Sequence, residues 1–339
     1  MISVSRSLRL SLRTDIPGVR SVVRQFVPVV VGRGVVQLSG YAELLLASLL
    51  AVGAVAALGY AQIFYLLPIS LFGMSVAAAE LPELSRLESS DRELLGVRLQ
   101  EGLRRIAFFV LPTMACYLVL GDLMVGALLE GGRFGADETR LVWYVLVAYT
   151  GALPAATATR LLQSASYASG DTRTPAAVAA IRVVLVVGLG VVLMIQLDRV
   201  VITGPGLAGL DGLGSLPTAL HLLPEPARSA EGTLRMGAVG LALASAVGAW
   251  FEFGVLRRRL AGATRVTLGG GSLTKIALAA GAAALVGVGT RSLAGDLHPL
   301  LAAPLAVGCA LGAYVIVACW EGVADARDMV TAVRRRLGR

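Results

Sequence analysis

The hydrophobic positions of the chain gather into eight long apolar runs, and most of the charged residues lie between them. A membrane-spanning helix needs about 20 predominantly apolar residues, and each run reaches that length. The pattern therefore predicts an all-α polytopic membrane protein with eight transmembrane helices, at about residues 28–50, 54–79, 106–129, 141–166, 176–197, 236–256, 274–293 and 299–320.

Composition disfavours a soluble enzyme. Of the 339 residues, 56% are hydrophobic and 15% are charged, and the mean hydropathy is +0.76. Soluble domains hold about 45–50% apolar residues and keep a largely polar surface. The sequence also has no HExxH, GxSxG or paired-acid DxxD pattern, so we expect a protein without enzyme activity.

The arginines that give the chain its net charge of +8 are unevenly divided between the two sides of the predicted bundle. In the connections between the predicted spans, twenty arginines fall on the N-terminal side of the bilayer and five on the opposite side. Basic residues of membrane proteins collect in cytoplasmic loops, so both termini are predicted to be cytoplasmic and the number of spans to be even. This asymmetry accounts for the basic pI without a nucleic-acid partner.

The connections divide the chain into parts. The long connection of residues 199–233 is rich in Gly and Pro and is predicted to be an outer loop. Within it, residues 213–223 fit either a short apolar helix on the membrane surface or an unstructured loop. The parts are a cytoplasmic leader or linker (1–27), six helices (28–260), two terminal helices (261–322) and a basic cytoplasmic tail (323–339).

Cysteine and histidine indicate no special chemistry. The three cysteines, Cys116, Cys309 and Cys319, lie in apolar stretches without CxxC spacing. The two histidines are isolated from each other and from any acidic pair. The sequence therefore predicts no disulfide, metal site or cofactor.

Polar residues follow one face of the first predicted span. A charge inside a span costs about 2.5 to 3.5 kcal/mol on insertion scales, and such residues usually face a cavity or a partner. Arg33, Gln37, Gly40 and Glu43 are spaced so that they project from similar faces of a helix. This stripe fits either one wall of a hydrophilic cavity for a charged substrate or a structural polar seam between helices.

A second polar set lies in the fourth predicted span. Arg160 is near its middle, and Gln163 is close to it on the same helix. Arg160 could face a substrate, or it could pair with Glu43 or with a helix-end carbonyl.

Three further charged residues are weaker candidates for lining the substrate cavity. Arg182 and Glu252 lie nearer the ends of their predicted helices, where extension of the side chain to the membrane surface is the simpler interpretation. Asp122 is predicted to face an outer vestibule.

Three stretches together resemble the MurJ/MviN family of lipid II flippases, which belongs to the MOP exporter superfamily. The segment from Pro28 through Arg33 and Gln37 is similar to the seventh helix of that family. The matching residues of the eighth helix and of the turn after the fourth predicted span are Tyr60, Ala61, Pro68, Gly73, Pro82, Leu84, Ser85, Asp171, Thr174 and Pro175.

The resemblance implies a fourteen-helix transporter of the bacterial inner membrane. Such proteins have two six-helix lobes and two extra helices, and they move a lipid-linked peptidoglycan precursor for cell wall synthesis by alternating access. Residues 28–260 would be the second lobe and residues 261–322 the terminal pair. The implied partners are a polyprenyl-diphosphate-linked sugar, membrane lipids, and an N-terminal lobe that the same gene or another chain supplies.

The sequence departs from the family at two positions. Ile63 and Leu66 stand where the family commonly has an Arg and a Glu. Arg33, Glu43 and Arg160 are then the candidates for supplying the charge of the cavity. The alternatives are an exporter of another lipid-linked oligosaccharide or small molecule from the same superfamily, and a membrane fragment or scaffold without transport.

Overall fold

Most helices of the computed structural model begin and end within about seven residues of the apolar runs that predict them, whereas the helix Arg92–Leu129 begins 14 residues before its run. The structure describes residues 26, 30, 34, 37, 39–86, 92–132, 134–203, 206–209, 222–228, 233–261, 270–295 and 297–337. Its elements are α1 (39–47), α2 (Ala54–Pro68), a π-helix (Ile69–Met74), α3 (Ser75–Arg86), α4 (Arg92–Leu129), α5 (Ala136–Thr150), α6 (Leu153–Ala168), α7 (Arg173–Leu197), β1 (Val201–Thr203), β2 (Gly206–Ala208), α8 (Glu225–Arg228), α9 (Gly237–Ala261), α10 (Gly270–Leu293), α11 (Pro299–Trp320) and α12 (Ala324–Leu337).

The chain is a multi-pass helical membrane protein. Among the described residues, six helical stretches are long and apolar enough to cross a membrane, and the bent pair α5 and α6 would be a seventh. Eight of the 23 residues of the first predicted run lie outside the described residues, and residues 39–47 of it are helical. The total of eight spans therefore stays a prediction. Most of the outer-loop segment 213–223 also lies outside the described residues.

The fourth predicted span is not one straight helix. α5 and α6 meet at Gly151 and Ala152 with a bend of 45°. Pro154, near the start of α6, has no N–H to continue the hydrogen-bond ladder of the preceding helix. The indole of Trp250 donates to the freed Gly151 carbonyl at 2.8 Å. The backbone group that the break exposes thus has a partner in α9.

The second predicted span contains a change of helix type. Pro68 ends α2, and the next six residues form the π-helix that leads into α3. Such insertions in a helix are frequent at functional sites. Gly73 lies in this segment against α6, where a Cβ atom would come within 2.9 Å of the Thr157 methyl group. The glycine allows the π-helix to pack closely on α6.

Two apolar cores hold the helices together. The larger core joins α2, α4, α5, α6, α7 and α9 around fully buried side chains such as Leu58 and Tyr149. The smaller core joins α4 to α10 and α11 around Phe108 and Tyr314. The Tyr314 hydroxyl donates to the Phe108 carbonyl at 2.6 Å, so the terminal helices are fixed to α4 by a polar contact as well.

The bundle has two chemically different ends. At one end, which we call the hairpin end, β1 pairs with β2 in antiparallel register beside α8 and the turn between α1 and α2. The guanidinium of Arg228 donates to the Leu49 carbonyl at 2.8 Å, and the Val52 amide donates to the Arg228 carbonyl. The opposite end, which we call the α12 end, carries α12 and the start of α4.

Asp198 is the buried acid of the hairpin end. It follows the last residue of α7 and is 2% exposed. The Arg235 guanidinium donates to its backbone carbonyl at 3.0 Å. Burial raises the pKa of the Asp198 carboxyl, and the charges of Arg235 and Arg228 offset that rise only in part.

The raised pKa of Asp198 predicts how stability responds to pH. Because the folded state holds the proton more tightly, the stability contributed by this group is complete below the unfolded pKa of 3.8 and is lost as the pH rises through the folded pKa. Asp198→Asn removes this loss. In thermal unfolding in detergent, the melting temperature of the variant relative to the unmodified chain should rise from pH 4 toward pH 7.

The matched control is Asp137→Asn, which changes an exposed acid at the same end of the bundle. Because its pair with Arg140 is exposed, it should change the pH profile far less than Asp198→Asn does. A constant offset for Asp198→Asn at every pH would contradict the prediction.

Candidate functional site

A polar cavity of about 280 Å³ lies among α1, α2, α5, α6, α7 and α9. Its wall brings together residues that are far apart in the sequence, because six helices contribute to it. Of the sequence candidates, the wall includes Gln37, Glu43, Arg160, Gln163, Arg182 and Glu252. Arg33 lies outside the described residues.

Glu43 of α1 occupies one side of the cavity and is 6% exposed. Its carboxylate accepts hydrogen bonds from the Tyr149 hydroxyl at 2.9 Å, from the Gln62 amide at 3.4 Å and from the Ser245 hydroxyl. The Gln62 amide also donates to the Tyr149 hydroxyl at 3.1 Å. Both carboxylate oxygens are thus held by neutral donors from α2, α5 and α9.

Glu252 of α9 occupies the other side and is 1% exposed. It accepts from the Arg182 guanidinium at 2.8 Å and from the Gln163 amide at 2.9 Å. The interpretation that Arg182 and Glu252 extend to the membrane surface is therefore wrong. The two side chains point into the bundle because each supplies the charge that the other needs.

Arg160 of α6 differs from the other charged residues of the wall. Its side chain is partly buried at the cavity. Within the described part of the chain, it makes neither the predicted pair with Glu43 nor a hydrogen bond to a helix-end carbonyl. Glu43 and Glu252 are already bonded to other groups. Of the described charges around the cavity, Arg160 is the one that is left to bind a ligand.

Asp122 lies apart from the cavity. Its carboxylate forms two contacts of 2.6 Å with the guanidinium of Arg291, and its side chain is 20% exposed. The pair joins α4 to α10 near the hairpin end. Asp122 therefore fixes a terminal helix to the rest of the bundle.

Sequence reasoning missed the neutral donors of the cavity. Gln62, Tyr149 and Ser245 complete the shell around Glu43, yet none of them carries a charge that would mark it in an apolar run. Gln62 directly follows the motif pair Tyr60 and Ala61, and this position is the feature of the sequence that could have marked it as a cavity residue. Leu66, at a position where the family commonly has a charged residue, lines the cavity with an apolar side chain.

The family-motif residues near the cavity have packing roles. Ala61 is fully buried, and the ring of Tyr60 meets that of Phe134 edge to face at a centroid distance of 5.8 Å. Pro82, Leu84 and Ser85 lie in α3. Tyr60 and Ala61 thus pack α2, the helix that supplies Gln62 to the cavity wall.

The motif between α6 and α7 builds a turn. The Asp171 carboxylate accepts from the Thr174 amide at 3.0 Å, and Pro175 is buried in the first turn of α7. Partial burial acts to raise the pKa of Asp171, but the hydrogen bonds from Thr174 and Arg173 outweigh it and hold the pKa below its ordinary value. The turn sets where α7 begins and thereby the position of Arg182 along that helix.

The cavity can bind an anionic or hydrogen-bonding ligand. Within the described ranges, no group of three or more His, Cys, Asp or Glu side chains is close enough to hold a metal ion. The three cysteines are free thiols. The donors and acceptors of the wall are suited to holding a polar group within the bundle.

Known proteins match this chain both in sequence and in fold. The profile of the family "Lipid II flippase MurJ" matches residues 2–208. The probable lipid II flippase MurJ of Rickettsia prowazekii is 26% identical over 205 residues, which cover 60% of this chain and 40% of that protein. The corresponding protein of Rhizobium tropici is 34% identical over 142 residues, which cover 42% of this chain and 27% of the relative.

A solved structure shows the same fold. The chain is similar to a lipid II flippase MurJ in an inward closed conformation, with a TM-score of 0.65 and 20% identity. The similarity covers 96% of this chain and 59% of that structure. The chain thus spans less than half the length of the two curated relatives and somewhat more than half of the solved structure. Since the family profile covers more than half of the residues, the chain belongs to the lipid II flippase MurJ family.

Proposed function

We propose that this chain is the second lobe and terminal helix pair of a flippase that moves lipid II by alternating access. Family membership and the similarity of nearly the whole chain to part of a MurJ structure support this proposal. Because the chain spans only 40% of the Rickettsia relative, a first lobe would come from the same gene or from a partner chain. The function of the assembled protein would be transport rather than catalysis.

The guanidinium of Arg160, which has no partner among the described residues, carries the proposal. Lipid II presents a diphosphate between its sugar headgroup and its polyprenyl tail. Arginine suits phosphate because its planar donors can form two charge-assisted hydrogen bonds at once. Arg182 is bonded to Glu252, so Arg160 would make this contact together with Arg33, whose position lies outside the described residues.

The size of the cavity supports a shared binding site. Its volume of about 280 Å³ lies just below the range of about 300 to 1,000 Å³ that holds a drug-sized ligand. The sugar and peptide parts of the headgroup would need room from the other lobe. Leu66 and Ile63, which are 50% and 61% exposed, would face that lobe or the substrate.

The terminal helices offer a surface for the lipid tail. Leu285 and Leu293 of α10 and Leu301 and Ile316 of α11 are among their most exposed side chains. A polyprenyl tail needs only such an apolar surface, and membrane lipids would cover the rest.

The distribution of arginines supports a location in the bacterial inner membrane with the α12 end in the cytoplasm. At the hairpin end, the arginines at 140, 228, 235 and 291 are engaged by acids or backbone carbonyls. Exposed arginines at 258, 259, 327, 334 and 335 lie at the α12 end. This is the asymmetry expected of a cytoplasmic side.

Arg160→Gln should weaken binding of a polyprenyl diphosphate by the purified chain about tenfold to a hundredfold, the usual effect of losing a charged hydrogen bond. Native mass spectrometry in detergent would measure the bound fraction, with neutral polyprenol as the comparison lipid. Arg258→Gln, an exposed arginine at the end of α9, is the matched control and should bind as the unmodified chain does. Equal affinity of Arg160→Gln and the control would contradict the role of Arg160.

Transport can be tested after the chain is joined to a first lobe. In a strain depleted of its own flippase, the joined protein should restore growth, and Arg33→Ala or Arg160→Ala should abolish rescue at unchanged protein levels. Export of a different lipid-linked oligosaccharide or a drug without rescue would favour the alternative transporter. Stable expression with no transport by any joined form would favour a scaffold.

A further inference from the structure

The C-terminal helix α12 begins at the level of the membrane boundary. α11 ends at Trp320, whose side chain is 83% exposed, and tryptophan is enriched where a span meets the headgroups. Gly322 has a φ of +77°, and this left-handed residue separates the end of α11 from the start of α12. Because α12 starts only two residues later, its first turn cannot be far from that boundary.

An ionic contact fixes the first turn of α12. The Asp325 carboxylate contacts the Arg104 Nε atom at 3.0 Å and the Arg105 Nε atom at 3.9 Å, and its side chain is 8% exposed. In α4, these two arginines immediately precede the long apolar part that crosses the membrane. Asp325 is thus held at the place where α4 enters the bilayer.

The sequence of α12 is amphipathic and becomes basic toward its end. Its larger apolar residues, Met329, Val330, Val333 and Leu337, recur at helical spacing, and Met329 packs on the smaller core. Both acids, Asp325 and Asp328, lie in the first five residues of the helix. The last turns contain three consecutive arginines from position 334 and no acid.

We propose that α12 lies along the membrane surface and that Arg334 and Arg335 bind the headgroups of anionic phospholipids. Both side chains are exposed, whereas the start of the helix is fixed at the boundary. A helix with one apolar face and one basic face binds at such an interface. Its apolar face is buried at the boundary between headgroups and acyl chains, and its basic residues pair with lipid phosphates. This inference does not depend on which substrate the protein transports.

The full chain in nanodiscs tests the proposal. Spin labels would be placed at Val330→Cys and Thr331→Cys, adjacent positions on different faces of α12, with Cys116, Cys309 and Cys319 replaced by alanine. In nanodiscs with phosphatidylglycerol, the label at 330 should collide mainly with oxygen and the label at 331 mainly with a water-soluble nickel chelate. In nanodiscs of phosphatidylcholine alone, this contrast should fall.

Arg334→Gln with Arg335→Gln should reduce the contrast in anionic nanodiscs, because each lost arginine shifts the bound-to-free equilibrium of the helix about fivefold. Arg258→Gln with Arg259→Gln removes two exposed charges from the end of α9 and is the matched control. The proposal is overturned if the contrast is equal in neutral and anionic nanodiscs, or if both double variants reduce it equally.

Discussion

Glu252→Leu should lower the free energy of unfolding by roughly 3 to 5 kcal/mol, because it leaves the Arg182 guanidinium in the bundle without its acid. Glu252 is 1% exposed, and the Arg182 side chain is 19% exposed, so little water replaces the lost partner. The Gln163 amide loses its acceptor at the same time. Thermal unfolding of the purified chain in a mild detergent, followed by helical circular dichroism, would measure the loss.

Two further variants separate charge from packing. Arg182→Met combined with Glu252→Leu removes both charges, and apolar replacement of a buried pair is often neutral. The double variant should therefore regain most of the stability. Asp137→Ala breaks an exposed pair with Arg140 and should cost less than about 1 kcal/mol. If Glu252→Leu alone were as stable as this control, the buried pair would not hold the helices together.

The helices could be predicted from the sequence because the membrane restricts which backbone structures an apolar run can adopt. In hydrocarbon, every backbone N–H and C=O must bond within its own segment, so an apolar run of sufficient length becomes a helix. Pro154 indicates a bend near Gly151, because its missing N–H interrupts the hydrogen-bond ladder of the helix. The partner of the freed Gly151 carbonyl could not be predicted, since the indole of Trp250 is about 100 residues away along the chain.

The site could be predicted only in part. The insertion cost of a charge marked Glu43, Arg160, Arg182 and Glu252 as unusual, and all four line the cavity. The cost of a charge does not indicate its partner. The Arg182 and Glu252 pair spans 70 positions, and the bond from Ser245 to Glu43 spans 202. Only the packing of the helices decides that Arg160 is left without a partner within the described part of the chain.

α9 is the element that joins the two polar networks. Ser245 and Glu252 are seven residues apart, which is about two turns, so they lie on one face of α9 and bond to opposite sides of the cavity. Any shift of α9 against its neighbours would change both networks together. The contact that sets the position of α9 is therefore expected to affect both sides of the cavity at once.

Gly240 makes that contact. A Cβ atom on Gly240 would lie 2.5 Å from the carbonyl carbon and oxygen of Leu193 and 2.7 Å from the amide nitrogen of Met194. These are backbone atoms of α7, which cannot rotate away as a side chain can. Gly240→Ala should thus force α7 and α9 apart and lower the free energy of unfolding by about 3 kcal/mol, at the upper end for overpacking. The measurement is thermal unfolding in detergent together with the yield of monodisperse protein.

Gly254→Ala provides the control because it lies on the same helix and a Cβ there would have nothing within 4 Å. Alanine favours a helix over glycine by up to about 1 kcal/mol, so this variant should be as stable as the unmodified chain or slightly more so. Since both substitutions add the same methyl group, the difference between them isolates the close approach to α7. Equal stability of the two variants would show that α7 and α9 can separate without loss, and α9 could not then be the element that fixes both sides of the cavity.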